Sequence, residues 1–306
     1  MIKSYFVRES LLHDSGPSHP ESAERARTLR ALLTGMEKEG TARMIEPPPS
    51  RDLSLFRLAH DPAYIDFLER HDNRLPIDLD PDTRLSSGSL DAMRGIAGAI
   101  NMINLEKDRS QPVFLVARPP GHHARRGAGM GFCLVNTAAT QAMSLLQSDP
   151  TLRIAIYDFD VHHGNGTEEI LGALPGTLYI STHQYPFYPG TGSGRENRTG
   201  PDGDGILDIP LPQGTNDDVY SRTLQETILP RLASFAPDIL LVSAGFDGHR
   251  DDPLGGFLLT EKIYRHIGEQ IALTLPGVFI VSILEGGYNL LALKKSVRSY
   301  MEGLNR

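Results

Sequence analysis

Short runs of apolar residues alternate along this chain with longer segments in which apolar positions recur every three or four residues. The short runs predict strands at residues 5–7, 113–117, 153–157, 177–181, 206–209, 239–243 and 278–284. The longer segments predict helices at residues 22–38, 89–104, 135–147, 217–235 and 260–275. The central runs are nearly continuous Val, Ile and Leu, which is typical of strands covered on both faces. This alternation predicts an α/β domain with a mostly parallel sheet.

Composition narrows the class of protein. The chain has 306 residues, a formal net charge of −8 and 40% hydrophobic residues, without a long polar break, so we expect one large domain over residues 1–306. The acidic balance and scattered basic residues argue against a nucleic-acid binder. No segment approaches the ~20 apolar residues that cross a bilayer, and the first residues lack a secretory signal, so we expect a cytoplasmic protein without a membrane partner.

The most informative segment is IAIYDFDVHHGNGT, in which an apolar run ends in a polar cluster and a glycine-rich turn. Residues two apart in an extended chain point to the same side, so Asp158, Asp160 and His162 can converge on one point. Such a cluster is a cradle for a divalent metal. The alternative is a polar strand end with solvated side chains.

Three further segments at predicted strand ends carry candidate chemistry, and in parallel sheets ligands bind beyond the carboxyl ends of strands. RPPGHHARRGAGMGF contains the histidine pair His122 and His123, which could share proton transfer. LVSAGFDGHRDDPLGG offers Asp247, whereas its later aspartates, Asp251 and Asp252, are expected to be solvated turn residues. VSILEGGYN offers Tyr288, whose hydroxyl could donate to a polarised carbonyl.

Together these segments predict a metal-assisted amide hydrolase. Asp160, His162 and Asp247 would give zinc three ligands and leave the open position that a catalytic site needs. Zinc lowers the pKa of bound water from ~15.7 to about 7, which provides a nucleophile. The single cysteine, Cys133, excludes a disulfide within the chain and a thiolate zinc cluster, and is expected to serve packing.

The ordered motifs resemble the arginase–deacetylase superfamily, and more narrowly the zinc-dependent histone deacetylase family and its bacterial relatives. They are HPESAER, HDPAYIDFL, RPPGHHA, GFCLVN, YDFDVHHGNGT, YPGTG, SAGFD, DPLGG and LEGGYN, which span most of the chain. The resemblance implies a single-domain fold with a mostly parallel sheet of about eight strands and helices on both faces. It also implies one zinc ion per chain and hydrolysis of ε-N-acetyl-lysine in proteins or peptides, with longer acyl chains left open.

Residue roles follow from the same resemblance. Asp160, His162 and Asp247 match the zinc ligands, and Tyr288 matches the tyrosine that polarises the scissile carbonyl. His123 matches the general base and later general acid. Asp158 matches the aspartate that orients His122 and, with Ser181, holds a potassium ion. Arg25 matches an arginine of an interior acetate channel. The residues that match the lining of the acyl-lysine tunnel are Gly131, Phe132, Tyr188 and Leu254.

Asn165 marks the subclass. It falls where class I deacetylases carry an aspartate behind the second histidine, and HHGNGT with DPLGG resembles class II. His123 would then lack a carboxylate partner, which predicts a lower proton affinity than in class I. The aspartate that grips the substrate backbone in class I has no clear equivalent, although Asp82 lies nearby. His163 is interpreted as structural.

Three alternatives remain. The first is an acetylpolyamine amidohydrolase, but Leu254 stands where the eukaryotic enzymes carry a glutamate gatekeeper, and the chain lacks the long insertion of the bacterial ones. The second is an arginase-like ureohydrolase with two manganese ions, but Asp247-Gly248-His249 lacks the second-metal ligands. The third is a catalytically silent acyl-lysine binder, which would be expected to lose a zinc ligand or the tyrosine. The physiological substrate, the metal used in the cell and a homo-oligomeric state stay open.

Overall fold

We describe a computed structural model of the chain, which covers residues 1–71 and 76–305. The strands are β1 (Ile2–Phe6), β2 (Ala42–Ile45), β3 (Ile77–Asp80), β4 (Thr83–Leu85), β5 (Val113–Val116), β6 (Ile154–Asp158), β7 (Thr177–Gln184), β8 (Arg198–Thr199), β9 (Gly205–Leu211), β10 (Ile239–Ala244) and β11 (Phe279–Leu284). The helices are α1 (Ala23–Lys38), α2 (Pro62–Arg70), α3 (Ser89–Asn104), α4 (Thr137–Ser148), α5 (Asn165–Leu171), α6 (Asp217–Thr223), α7 (Leu229–Phe235), α8 (Glu261–Thr274) and α9 (Leu290–Leu304).

Within the described residues, nine strands form one sheet in the order β2-β1-β5-β11-β10-β6-β7-β9-β8. All neighbours are parallel except β8 and β9. Apolar side chains cover both faces. One buried cluster joins the sheet to α1 and α6 to α9, and the other joins it to α2 to α5. The α/β fold with helices on both faces is therefore confirmed, with one strand more than expected.

Local sequence explains where several elements begin and end. Asn216 caps α6 by accepting a hydrogen bond from the Val219 N–H, a role that asparagine often takes at a helix N-terminus. The predicted helix over 217–235 is interrupted by a π-helical segment at Leu224–Ile228 and ends at Phe235, two residues before Pro237. The first strand was predicted three residues too late, since β1 begins at Ile2.

The structure also contains elements that the hydrophobic pattern did not predict. They are the edge strands β2 and β8, the hairpin of β3 and β4, and the helices α2, α5 and α9. The interpretation of the HHGNGT segment as a turn was incomplete, because Asn165 is the first residue of α5. No helix in the described ranges is long and apolar enough to span a membrane.

Candidate active site

The candidate residues follow the carboxyl ends of four neighbouring strands, β5, β11, β10 and β6. These parallel strands end at the same edge of the sheet, so the loops after them meet there. In that strand order, the loops deliver His122 and His123, then Tyr288, then Asp247, and then Asp160 and His162, which follow Asp158 at the end of β6.

Asp160, His162 and Asp247 form a compact group of candidate metal ligands, called the metal cluster below. The His162 Nδ1 atom lies 3.0 Å from Asp160 Oδ1 and 3.1 Å from Asp247 Oδ2. One potential ligand atom from each residue lies within 4.8 Å of the others. Both carboxylates are fully buried, so this is an enclosed cluster and not a solvated strand end.

The backbone holds both carboxylates in place. The Val161 N–H donates to Asp247 Oδ1 at 3.0 Å, and the Gly286 N–H donates to Asp160 Oδ2 at 2.8 Å. Position 286 has room only for glycine, because a Cβ there would lie 2.1 Å from Asp247 Oδ2 and 2.6 Å from Asp160 Oδ2. Gly286, the first glycine of LEGGYN, therefore leaves room for the two carboxylates.

The electrostatics of the cluster favour a divalent cation. Burial and the neighbouring Asp160 raise the pKa of Asp247 to about 7. Burial alone would lower the pKa of His162, but its hydrogen bonds to Asp160 and Asp247 raise it to about 10. Two buried carboxylates and an imidazole nitrogen facing one point are a donor set that fits zinc, whose charge would offset the carboxylate repulsion.

The two adjacent histidines have different partners. His122 Nδ1 lies 3.1 Å from Asp158 Oδ2. Burial would lower the pKa of His122, but the carboxylates of Asp160 and Asp158 outweigh it and raise this pKa to about 10. These two carboxylates therefore favour the protonated form of His122.

His123 is the neutral member of the pair. Its Nδ1 lies 2.8 Å from Asn165 Oδ1, and this amide oxygen accepts, so Nδ1 carries the proton and Nε2 has a free lone pair. Burial and the charges of His122 and His162 hold the pKa of His123 well below its ordinary value. An unprotonated Nε2 is what a general base requires.

A cavity of about 260 Å³ opens beside these groups. Its walls contain one residue of the metal cluster, His162, together with the residues of the predicted tunnel. The lining residues are Asp82, His123, Gly131, Phe132, His162, Phe187, Tyr188, Leu254 and Tyr288. The four residues predicted to line a tunnel are thus brought together. Two lining residues, Phe187 and Asp82, were not assigned a role from the sequence.

Aromatic rings shape this cavity. Tyr188 meets the His123 ring edge to face with centroids 5.1 Å apart, and Phe187 stacks on His162 at 5.3 Å. Gly131 lies directly against His123, since a Cβ at position 131 would come within 2.5 Å of the His123 ring. The segment YPFYPGTG could have suggested Phe187, since it places two aromatic residues side by side.

Tyr288 lines the same cavity and meets the Phe132 ring edge to face, with centroids 5.7 Å apart. Burial raises its hydroxyl pKa well above the ordinary value, so the hydroxyl stays protonated and can donate. The Arg25 guanidinium lies 4.9 Å from the Tyr288 ring centroid. Arg25 itself is fully buried and donates to the carbonyls of Gly287 and Glu285 and to the Glu21 carboxylate.

The predicted cation residues face one another. Asp158 and Ser181 are paired in the register of β6 and β7. The Ser181 hydroxyl lies 2.8 Å from His183 Nδ1. Asp158 is fully buried, and its Oδ1 accepts from the Asp160 N–H at 3.1 Å.

The expectation that Asp252 is solvated was wrong. Asp252 is 7% exposed, and its carboxylate accepts hydrogen bonds from three backbone N–H groups. Its neighbour Asp251 has a side chain that is 60% exposed, as expected for both. Two adjacent aspartates before a proline look alike in sequence, and only the tertiary structure separates them.

Glu285 was also missed. It is fully buried beneath the histidine pair, and its Oε2 accepts from the Gly121 N–H at 2.6 Å and from the His122 N–H at 3.1 Å. Burial raises its pKa to about 7. A glutamate directly after the apolar run of β11 was the available signal, because a carboxylate is seldom placed there without partners.

His163 points away from the cavity into a second polar group. Its Nε2 lies 3.1 Å from Glu168 and 3.2 Å from Asp208, and its Nδ1 lies 2.8 Å from Thr191. Both ring nitrogens of His163 thus have polar partners, which supports the structural interpretation of His163. Cys133 is fully buried with a raised thiol pKa, consistent with packing.

Size alone would not have identified the site. A larger cavity of about 480 Å³ is lined by the 127–129 segment and by side chains that include Tyr64, Phe67 and Leu79. It contains neither the metal cluster nor the histidine pair. The arrangement of titratable groups identifies the smaller cavity as the candidate active site.

Fold and site together define a hydrolase of the arginase–deacetylase type. Residues 19–304 match the family model described as the histone deacetylase domain. The chain therefore belongs to the histone deacetylase family and is a hydrolase of this family.

Relatives agree with this assignment. A protein of Archaeoglobus fulgidus named as a probable deacetylase is 36% identical over 291 residues, covering 93% of this chain and 80% of that protein. The crystal structure of the HDA15 HD domain superposes with a TM-score of 0.90 at 31% identity, covering 99% of this chain and 88% of that one. An acetylpolyamine aminohydrolase from Burkholderia pseudomallei superposes with a TM-score of 0.82 at 27% identity, covering 99% and 98%.

Proposed function

We propose that this protein is a zinc-dependent amidohydrolase that removes acetyl groups from the ε-amine of lysine in proteins or peptides. The observation that carries the proposal is one cavity lined by His162 of the metal cluster, by His123 with a free Nε2, and by the Tyr288 hydroxyl. These are a metal site, a base and a hydrogen-bond donor, which amide hydrolysis needs together.

Asp160, His162 and Asp247 would hold the zinc ion. When bound, zinc supplies a Lewis acid that polarises the substrate carbonyl and lowers the pKa of water. The Asp160 and Asp247 carboxylates are fixed by backbone donors and cannot turn away. This preorganisation keeps the ligands in place during the reaction.

His123 would move the proton. Its Nε2 accepts a proton from the attacking water, while Nδ1 keeps its hydrogen bond to Asn165 Oδ1. The protonated ring then donates to the nitrogen of the leaving lysine. A positive charge on His122 would lower the proton affinity of its neighbour, which would help His123 return this proton.

Tyr288 would donate to the carbonyl oxygen as negative charge develops on it. A preorganised donor of this type is worth about 10²–10³ in rate. The fate of the acetate product is a separate proposal: Arg25 would line a channel for acetate, which its burial against the Tyr288 ring supports. Its guanidinium also bonds to protein acceptors.

The cavity walls support an acyl-lysine substrate. Phe132 and Tyr188 provide aromatic surfaces for the methylene chain, and Gly131 allows close approach. At the mouth, Asp82 can accept from a substrate backbone N–H, and Leu254 carries no charge that would select a polyamine.

An acetylated polyamine is the second candidate substrate. The similarity to the Burkholderia acetylpolyamine aminohydrolase over 98% of that chain favours it. Parallel turnover of an acetyl-lysine peptide and acetylputrescine, each with and without a zinc chelator, tests both candidates. We expect faster turnover of the peptide, lost on chelation and restored by zinc. Faster turnover of acetylputrescine would make an acetylated polyamine the favoured substrate. Turnover that resists the chelator would refute the zinc mechanism.

We also propose that a potassium ion is held beside Asp158. The pairing of Asp158 with Ser181 supports this, because it places two oxygen-bearing side chains next to each other on neighbouring strands. The melting temperature in potassium chloride, compared with choline chloride at equal ionic strength, tests the proposal. We expect a higher value in potassium for the wild type and an equal value in both salts for Ser181→Ala.

A further inference from the structure

We propose that Asp252 is a positioning residue for Tyr288 and links this tyrosine to Leu254 at the cavity mouth. The inference rests on the proposed function of Tyr288 as a hydrogen-bond donor to substrate. It starts from the geometry of one buried carboxylate.

Asp252 uses both carboxylate oxygens on backbone donors. Its Oδ2 accepts from the Tyr288 N–H at 2.6 Å and from the Asn289 N–H at 3.1 Å. Its Oδ1 accepts from the Leu254 N–H at 3.0 Å. Hydrogen bonds to an ionised acceptor are stronger and shorter than those between neutral groups, so these bonds fix the donors closely.

The carboxylate joins two loops that are distant in sequence. Asp252 belongs to the loop between β10 and α8, which also supplies the predicted zinc ligand Asp247. Tyr288 belongs to the short connection between β11 and α9. The Asn289 side chain adds a second link, since its Nδ2 donates to the Asp251 carbonyl at 3.0 Å.

The segment that carries Tyr288 is held from two sides. On one side, the Gly286 N–H donates to the Asp160 carboxylate. On the other side, Asp252 holds the N–H groups of Tyr288 and Asn289. Between the two anchors, Gly287 has φ +118°, a conformation that permits the turn but does not itself restrict it. Asp252 therefore decides where the backbone of Tyr288 lies relative to the metal cluster.

A small displacement of Tyr288 would be costly to the reaction. A shift of about 1 Å in a reacting group can lower the rate about 10²-fold. The same carboxylate also holds the backbone of Leu254, which lines the cavity mouth. Loss of Asp252 should therefore lower kcat strongly through Tyr288 and raise KM modestly through Leu254.

The test compares Asp252→Asn with Asp251→Asn. The first variant keeps one oxygen but places an NH₂ group against backbone donors, whereas the second removes the same charge one residue away, from a side chain that is 60% exposed. For Asp252→Asn we expect kcat to fall about 10²-fold, with unchanged zinc content. Asp251→Asn should match the wild type. Asp252→Glu, which keeps the carboxylate, should recover part of the loss.

A double-mutant cycle with Tyr288→Phe separates positioning from general damage. If Asp252 acts through the tyrosine hydroxyl, Asp252→Asn should have little further effect on kcat in the Tyr288→Phe background. An equal fold-loss in both backgrounds would overturn the proposal, as would a kcat for Asp252→Asn equal to that of Asp251→Asn.

Hydrogen exchange provides a readout that does not depend on turnover. The amide protons of Tyr288 and Asn289 should exchange faster in Asp252→Asn than in the wild type. They should not exchange faster in the control Asp251→Asn. If Asp252→Asn does not fold, faster exchange is expected in Asp252→Glu instead. Unchanged exchange would refute the anchoring. A wild type without activity on any acetylated amine would instead refute the proposed function, and the exchange result would still decide whether Asp252 holds this segment.

Discussion

His122 and His123 are adjacent in the chain, yet their Nδ1 atoms face acceptors of different charge. The Asp158 carboxylate favours the protonated form of His122, whereas the neutral Asn165 amide leaves His123 as a base. The two histidines therefore differ in proton affinity because their partners differ, and the partner of His123 is a residue in α5. This makes Asn165 the residue at which the pH dependence of the reaction can be changed.

Asn165→Asp should move the acid limb of the pH profile of kcat/KM to higher pH. The new carboxylate favours the protonated form of His123 and raises its pKa. Activity at pH 6 should fall relative to activity at pH 8. Gln147→Glu, which adds the same charge at an exposed position, is the matched control and should leave the profile in place. An unshifted acid limb in Asn165→Asp would show that His123 is not the titrating base.

Two polar residues that the sequence did not reveal, Asp252 and Glu285, have partners far along the chain. The metal cluster and the histidine pair could be predicted, because motif spacing and resemblance identify them. Asp252 could not, since its partners Tyr288 and Asn289 are 36 and 37 residues away. Glu285 likewise acts on backbone 164 residues away.

At the scale of elements, the four adjacent strands β5, β11, β10 and β6 explain why the site lies where it does. Their predicted apolar runs correspond to buried strands, and this part of the fold could be inferred from the pattern. The edge strands β2 and β8 could not, because β2 is short and only partly buried, with an exposed Arg43, and β8 consists of two exposed residues. The helix α5 was hidden because its first residues, Asn165 and Gly166, are typical of turns.

Gly286→Ala should abolish zinc binding while the sheet stays folded. The added methyl group would overlap the Asp247 and Asp160 carboxylates, which cannot both retreat because the backbone holds them. Metal analysis after dialysis measures the effect. Gly35→Ala, in α1, meets no atom within 4 Å and should keep one zinc ion per chain. Stoichiometric zinc in Gly286→Ala would place the metal elsewhere.

At the scale of the whole molecule, buried neutral histidines make stability depend on pH. His60 donates from Nδ1 to the Arg125 carbonyl at 2.8 Å and accepts the Asn136 N–H on Nε2 at 2.8 Å. Burial lowers its pKa from 6.5 to about 4. As the pH falls from 6.5 towards 4, the unfolded chain binds a proton that the folded chain does not, so the folded state loses stability.

Between pH 7 and pH 5.5 this histidine should cost the folded protein about 1 kcal/mol of unfolding free energy. His60→Gln keeps a donor and an acceptor but does not titrate, so its urea-unfolding free energy should fall less over this interval by about that amount. Equal losses for the wild type and His60→Gln would show that His60 is not held neutral in the folded protein.

The central claim is that one zinc ion, bound by Asp160, His162 and Asp247, is required for hydrolysis of an acetylated amine. The most direct measurement is a zinc titration of metal-free protein, with turnover of an acetyl-lysine peptide followed at each step. We expect no turnover without metal and a linear rise that ends at one equivalent of zinc. Full turnover in the metal-free protein, or a rise that ends only at two equivalents, would contradict the account.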